Sequence, residues 1–196
     1  RQVHETRKIL GNYGRAVPEF FTSLEPIPVL QRDPAMIKRM KTAAAAVGVG
    51  PMAAVAGAVS ASVGGVLLKQ NKEVIVENGG DLFIKTDKTR RVAIDAGRSA
   101  FKDLALKIKP ASHPIGICTS SGTVGHSLSF GKADAATVVS EDVYLSDAAA
   151  TALGNRVRTH EDISSAIEWI KGIAGIKGAL IIVDNRMGAW GEIELD

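Results

Sequence analysis

Hydrophobic residues fall along this chain in short runs whose spacing alternates between helical and strand-like periods. Met36, Ile37 and Met40 share a helical face after Asp33-Pro34, with Asp33 placed as a cap and Pro34 at the first helical position. Gly48 and Gly50 end that helix, and Pro51 opens a second one that closes near Gly64-Gly65. Val74 to Val76 and Leu82 to Ile84 flank Glu77-Asn78-Gly79-Gly80-Asp81, which reads as strand, glycine turn, strand. Ile115 to Cys118, Ala135 to Val139 and Leu180 to Val183 predict buried strands, and Trp190 to Leu195 a closing edge strand after a turn over Asp184 to Gly188. Ser146 and Asp147 precede a helix through Leu153, and Ile163, Ile167 and Ile170 mark another over 161–171. Pro18, Pro26 and Pro28 give residues 1–33 the look of an irregular lead-in. Strands and helices mix without strict alternation, so the expectation is an α+β fold. It would be one domain over 1–196 with a mixed or antiparallel sheet and packed helices.

Composition changes this picture in two places. Between Lys41 and Lys69 there are 27 residues without a charge, long enough on paper to cross a bilayer. Five of them are glycine, one is Pro51, and most of the rest are Ala and Val, so a buried small-residue helix is expected rather than a membrane span. The net charge is only +3 and aromatic residues make up 5%, which offers few stacking platforms and argues against nucleic acid as a partner. Lys85 to Lys109 is locally basic, with eight basic against three acidic residues, and reads as exposed strand and loop. The single cysteine, Cys118, excludes a disulfide framework, and no Cys/His spacing supports zinc. The chain begins at Arg1 rather than Met, so its N-terminus is expected to be incomplete.

Three short constellations carry candidate chemistry. In the Asn78-Gly79-Gly80-Asp81 turn, adjacent glycines free the backbone to approach a ligand, and Asp81 can accept a proton or coordinate a cation. The same turn also reads as an ordinary hairpin connection. Thr119-Ser120-Ser121-Gly122 opens a loop dense in hydroxyls that runs to His126 and Ser127, of a kind that presents donors to phosphate. It is neither a Walker loop nor a nucleophile elbow. Asp147 and Thr151, at i and i+4 near a helix start, form half a shell of hard oxygen ligands suited to Mg²⁺, or else an acidic residue offsetting the helix dipole.

Taken in this order, the three motifs resemble the ApbE family, the Mg²⁺-dependent flavin transferases that cleave FAD and attach FMN to a protein threonine. The Asn78-to-Asp81 turn is similar to that family's Asn-x-Gly-Gly-Asp element. Thr119 to Gly122 is similar to its Thr-Ser-Gly loop with a following histidine, here His126. Asp147-Ala148-Ala149-Ala150-Thr151-Ala152 is similar to its metal motif. The longer strings Val49 to Gly57, Glu77 to Asp81 and Thr119 to Asp134 resemble a smaller ApbE-like family. Where a transferase reads Ile-Ile-Asp-Pro-x-Thr-Gly after the histidine, this chain has Ser127 to Lys132, and the Asp-x-Gly-x-x-Lys-Gly segment is missing.

The resemblance implies an ApbE-like, T-fold-like domain that binds a small phosphorylated, flavin-type nucleotide (FAD or FMN) with Mg²⁺. Asp147 and Thr151 would be metal ligands. Asn78, Gly79, Gly80, Thr119, Ser120, Ser121 and Gly122 would line the nucleotide site. His126 or Asp81 would orient or deprotonate the acceptor hydroxyl. FMN transfer from FAD is the activity this implies, in a cytoplasmic protein. The alternatives are a non-catalytic binding module for a small anionic metabolite on the same fold, and an oligomeric structural protein whose 51–65 helix is a subunit interface. A homo-oligomer is compatible with each.

Overall fold

Alternation along the strands sorts the apolar residues onto two faces of one sheet, and the rest of the chain covers those faces differently. A computed structural model describes residues 1–97, 99–101, 103–123 and 129–196. The strands are β1 (Val74–Asn78), β2 (Asp81–Lys85), β3 (Arg90–Ala93), β4 (Ala105–Ile108), β5 (Ile115–Ser120), β6 (Ala135–Ser140), β7 (Ile176–Val183) and β8 (Arg186–Gly191). Six of them form an antiparallel sheet in the order β1-β2-β5-β6-β7-β8, while β3 and β4 form a separate ribbon. The helices are α1 (Gln2–Ala16), α2 (Glu19–Thr22), α3 (Ala35–Val47), α4 (Val55–Leu67), α5 (Val143–Asn155) and α6 (Ile163–Lys171). The fold class is α+β, with an antiparallel sheet.

Register decides which residue faces which layer. Val76 and Phe83 on the hairpin, Cys118 on β5, and Val138, Ala179 and Ile181 beyond it share a core with α3, α4 and α5. Their neighbours of opposite parity, Ile84, Ile117, Ala135, Val139, Leu180 and Ile182, pack instead with Leu106 and Ile108 of the ribbon. The layers are therefore helices, sheet, ribbon. The backbone of the 192–196 segment pairs with β4 and extends the ribbon.

The uncharged stretch is buried inside this arrangement. After the left-handed Gly48 (φ 73°) the chain turns through a 3-10 segment, Pro51–Ala54, into α4. Gly64 lets α4 sit on the hairpin, because a Cβ there would lie 2.2 Å from the Phe83 ring. Among the described residues no single helix is long and apolar enough to cross a membrane. The α3 and Pro51–Leu67 segments pass together by length and composition but are bent by 109°.

Four expectations need correction. Residues 2–16 are a helix, not an irregular lead-in. Its buried stripe is Thr6, Leu10 and Gly14, too polar and small to register as apolar periodicity, and it meets α4 at the Ser62 hydroxyl, which contacts Thr6 Oγ1 at 2.9 Å and accepts from Gln2 Nε2 at 2.8 Å. Asp33 does not cap α3. It is buried and accepts from Lys41 Nζ (2.7 Å), Tyr13 Oη (2.7 Å) and Leu30 N (2.9 Å), tying α1 and the following loop to α3. Finally, α5 starts at Val143, where Asp142 accepts from Tyr144 N as the cap, so Asp147 lies inside the helix and not at its start. The last strand also begins earlier than expected, at Arg186.

Candidate functional site

Asp81 opens β2 with its side chain on the helix side of the sheet, beside its register partner Cys118. Asp147 reaches the same place from the middle of α5. Its Oδ2 accepts from Gly57 N at 2.7 Å, and the neighbouring Ala56 N–H supports the same carboxylate at the N-terminal end of α4. This approach requires Gly57: a Cβ there would lie 2.6 Å from Val143 O and 2.8 Å from Asp147 Cβ. Two carboxylates from different elements thus meet in a buried spot, each about 7% exposed.

Their electrostatics follow from that burial. Removal from water pushes Asp81 up to about 7, aided by Glu77, while the Cys118 thiol partly offsets the rise. Burial and the Asp81 charge hold Asp147 well above the usual carboxylate range, against the pull of the two backbone donors. Cys118 is raised far above an ordinary thiol by the same burial, so it is an inert donor and not a nucleophile. Among the described residues neither carboxylate forms an ion pair with a Lys or Arg. The same residues contain no cluster of three or more His, Cys, Asp or Glu able to hold a metal. Any cation here would therefore draw on the two carboxylates, the Thr151 hydroxyl and groups from its own ligand or water.

Space surrounds this pair on two sides. A cleft of about 840 Å³ runs along the ribbon face of the β1–β2 hairpin, lined by Ile75, Glu77, Leu82, Ile84 and the Arg90-to-Asp95 segment. It rounds the Gly79-Gly80 turn to reach Asp81, Asp147 and Thr151, and includes Thr119, Ser120 and Ser121. Both glycines have positive φ (66° and 99°), and neither carries a side chain to block the passage. A second, more apolar pocket of about 360 Å³ lies beyond the pair, bordered by Phe21, Leu24, Met52, Val55 and Phe130. Asp81, Asp147 and Thr151 line both spaces and form the waist between them.

Eight expected site residues meet around this waist or its cleft: Gly79, Gly80, Asp81, Thr119, Ser120, Ser121, Asp147 and Thr151. Two others do different work. The Asn78 side chain donates to Ala56 O at 3.2 Å and braces the hairpin against α4. Gly122 donates its N–H to Ala133 O at 2.9 Å, leaving it none for a phosphate. It is required sterically, since its Cβ would lie 2.2 Å from Gly131 O. Thr119 and Ser120 belong to the end of β5 rather than to the loop, and Thr119 Oγ1 contacts Thr137 Oγ1 at 2.9 Å. His126 lies outside the described residues.

The sequence reading missed Gly57 as a site residue, because a glycine in an Ala-rich helix signals packing and its partner stands far along the chain. It also missed the aromatic border of the second pocket. Phe21 stands beside Phe20, which is the buried one of the two, and Phe130 is a lone aromatic; neither shows a period.

A profile of the AbpE bacteria family matches residues 1–194. The UPF0280 protein of Methanosarcina barkeri is 44% identical over 189 residues, 95% of this chain and 75% of that protein. The UPF0280 protein of Archaeoglobus fulgidus is 45% identical over 198 aligned residues, covering 98% of this chain and 82% of the relative. Among solved structures, the apo flavinyl transferase ApbE of Pseudomonas stutzeri matches with a TM-score of 0.48 and 17% identity, over 74% of this chain and 48% of its own. The flavin transferase ApbE from Vibrio cholerae gives 0.47 and 16%, over 74% and 50%. This chain spans about half the length of those two structures.

Proposed function

The chain belongs to the AbpE bacteria family, and from that premise we propose that it binds a phosphorylated, flavin-type nucleotide with Mg²⁺ and transfers FMN from FAD to a hydroxyl acceptor. The observation that carries this reading is the waist itself. Two buried carboxylates with no cationic partner among the described residues, and a hydroxyl one turn along from one of them, open onto a cleft that a side-chain-free turn leaves accessible.

The donor set fits a hard divalent cation: burial destabilises Asp81 and Asp147 as anions, the Glu77 charge adds to this at Asp81 and the Asp81 charge at Asp147, and a cation relieves both. Asp147 and Thr151 would hold Mg²⁺. When bound, Mg²⁺ neutralises charge on a pyrophosphate and favours displacement at phosphorus.

The remaining roles belong to the chain. Gly57 and Ala56 fix the Asp147 carboxylate through their N–H groups. The Gly79-Gly80 turn and the Ser120 and Ser121 side chains border the space for the phosphates. Asp81, on the cleft beside Asp147, accepts the proton of the acceptor hydroxyl. The acceptor oxygen forms a bond to the FMN phosphorus, the bond from that phosphorus to the oxygen bridging to AMP breaks, and AMP leaves with the electron pair.

The test is incubation with FAD and Mg²⁺, measuring bound flavin and released AMP for the wild type, Asp147→Asn and Thr151→Val. Metal-dependent binding and AMP release that both variants lose support the reading. Binding without AMP release favours a non-catalytic module. Absence of both at high FAD removes the flavin assignment.

A further inference from the structure

Arg90 stands at the far end of the cleft from the carboxylate pair. The β1–β2 hairpin sets the separation. Asp81 lies at its turn, while Arg90 is tied to groups at its open end, Thr86 just after β2 and Glu73 just before β1. Asp81 to Thr86 is five residues of extended chain, which spans roughly 16 Å. Arg90 nevertheless lines the same cleft as Asp81 and Asp147.

The Arg90 side chain is held but not saturated. Nε donates to Thr86 Oγ1 at 3.2 Å, and Nη2 makes two long contacts to Glu73 at 3.3 and 3.4 Å. Nη1 donates to no protein group among the described residues, and the side chain keeps 40% of its exposure. Glu73 is fastened independently by Thr86 Oγ1 (2.8 Å) and Asp87 N (2.9 Å), so it positions the guanidinium while other groups share its charge. A guanidinium fixed along one edge and open along the other is built to receive a planar or tetrahedral oxyanion.

We infer that the cleft takes an elongated ligand with two anionic groups, one at the Asp81–Asp147–Thr151 waist and the second on Arg90, roughly 16 Å along the hairpin. This rests on the reading of the waist as a cation-plus-phosphate site and extends it: Arg90 is a specificity-determining residue that selects ligands carrying a distal phosphate or carboxylate.

Linear inorganic polyphosphates of defined length act as a ruler. With Mg²⁺ present and salt at a physiological level, wild-type affinity should step up by about tenfold or more once the chain is long enough to reach both sites. Arg90→Ala should remove that step while leaving pyrophosphate binding unchanged, and Arg90→Lys should keep part of it, because the charge remains but the fork is lost. Circular dichroism and melting of the two variants check that the fold is retained.

The same length dependence in Arg90→Ala as in the wild type overturns the inference, as does a wild type with no step or no polyphosphate binding. FAD measured in parallel separates the two readings. A polyphosphate step that depends on Arg90, without FAD binding, supports the Arg90 assignment and removes the flavin one. FAD binding without the step does the reverse.

Discussion

Replacing Asp81 with Asn should change how stability depends on pH, by an amount the structure sets. In the folded protein burial pushes this carboxyl from 3.8 up to about 7. The folded protein therefore holds a proton that the unfolded chain releases above about pH 4. Stability contributed by that proton is fully present below about pH 4 and is lost as the pH rises through 7. Three units at about 1.4 kcal/mol each give a loss of about 4 kcal/mol between pH 4 and pH 8 in the absence of divalent cations. Asn keeps the shape without the charge, so the variant lacks this loss.

Glu73 and Glu194 are held down to about 2 by their partners and destabilise the protein in acid, but they do so equally in both proteins, whereas Asp147, which the Asp81 charge raises, is relieved in the variant and adds to the difference in the same direction. The quantity to measure is thus the difference between wild type and Asp81→Asn, from urea unfolding in EDTA at pH 4.5, 6 and 8. It should shift in favour of the variant by about 3 kcal/mol across the range, or about 6–12 °C in relative melting temperature for a chain of this size. Mg²⁺ at pH 8 should recover stability in the wild type and much less in the variant. A difference that stays constant with pH would refute the claim that Asp81 is a buried, unpaired carboxyl.

Three further outcomes are expected. Gly57→Ala forces a Cβ to within 2.6 Å of Val143 O and should cost about 1–3 kcal/mol in thermal unfolding, together with any Mg²⁺ affinity measured by calorimetry. Lys41→Met strands the buried Asp33 and should cost about 3–5 kcal/mol. The double variant Lys41→Met/Asp33→Leu should recover part of that in the same denaturant assay, because no uncompensated charge then remains. Gly64→Val drives a side chain into the Phe83 ring and should destabilise by at least about 1–3 kcal/mol, read as an earlier melting midpoint with the hairpin amides losing hydrogen-exchange protection first.

Strands with clean alternation or continuous apolar runs, such as Leu82 to Ile84 and Leu180 to Val183, were legible from the chain, as were the stop at Gly48 and the helix expected over 161–171, whose α-helical part runs from Ile163 to Lys171. The α1 helix was not, because its buried stripe is Thr6, Leu10 and Gly14, and the groups that hold it, Ser62 on α4 and the Asp33–Lys41 pair that meets Tyr13, lie outside any local window. The start of α5 was misplaced because two acidic residues near it compete as the cap. Asp142, not Asp147, is the one whose side chain reaches a backbone donor at the helix start. Asp33 was assigned a local capping role, whereas Lys41 lies two turns along the next helix and claims it through a buried pair.

By itself the sequence determined the periods of the elements, the antiparallel hairpin around Gly79-Gly80, and the residue types able to meet a cation or a phosphate. These follow from short-range sterics and from the partition of apolar side chains out of water, both of which are encoded in neighbours along the chain. Tertiary structure decided that Asp81 and Asp147 share one buried waist, that Asn78 and Gly122 serve packing, and that Arg90 lies a hairpin's length away on the same cleft. Those outcomes depend on strand register, helix approach at Gly57 and the loss of solvent around charge, which arise only when distant segments close on one another.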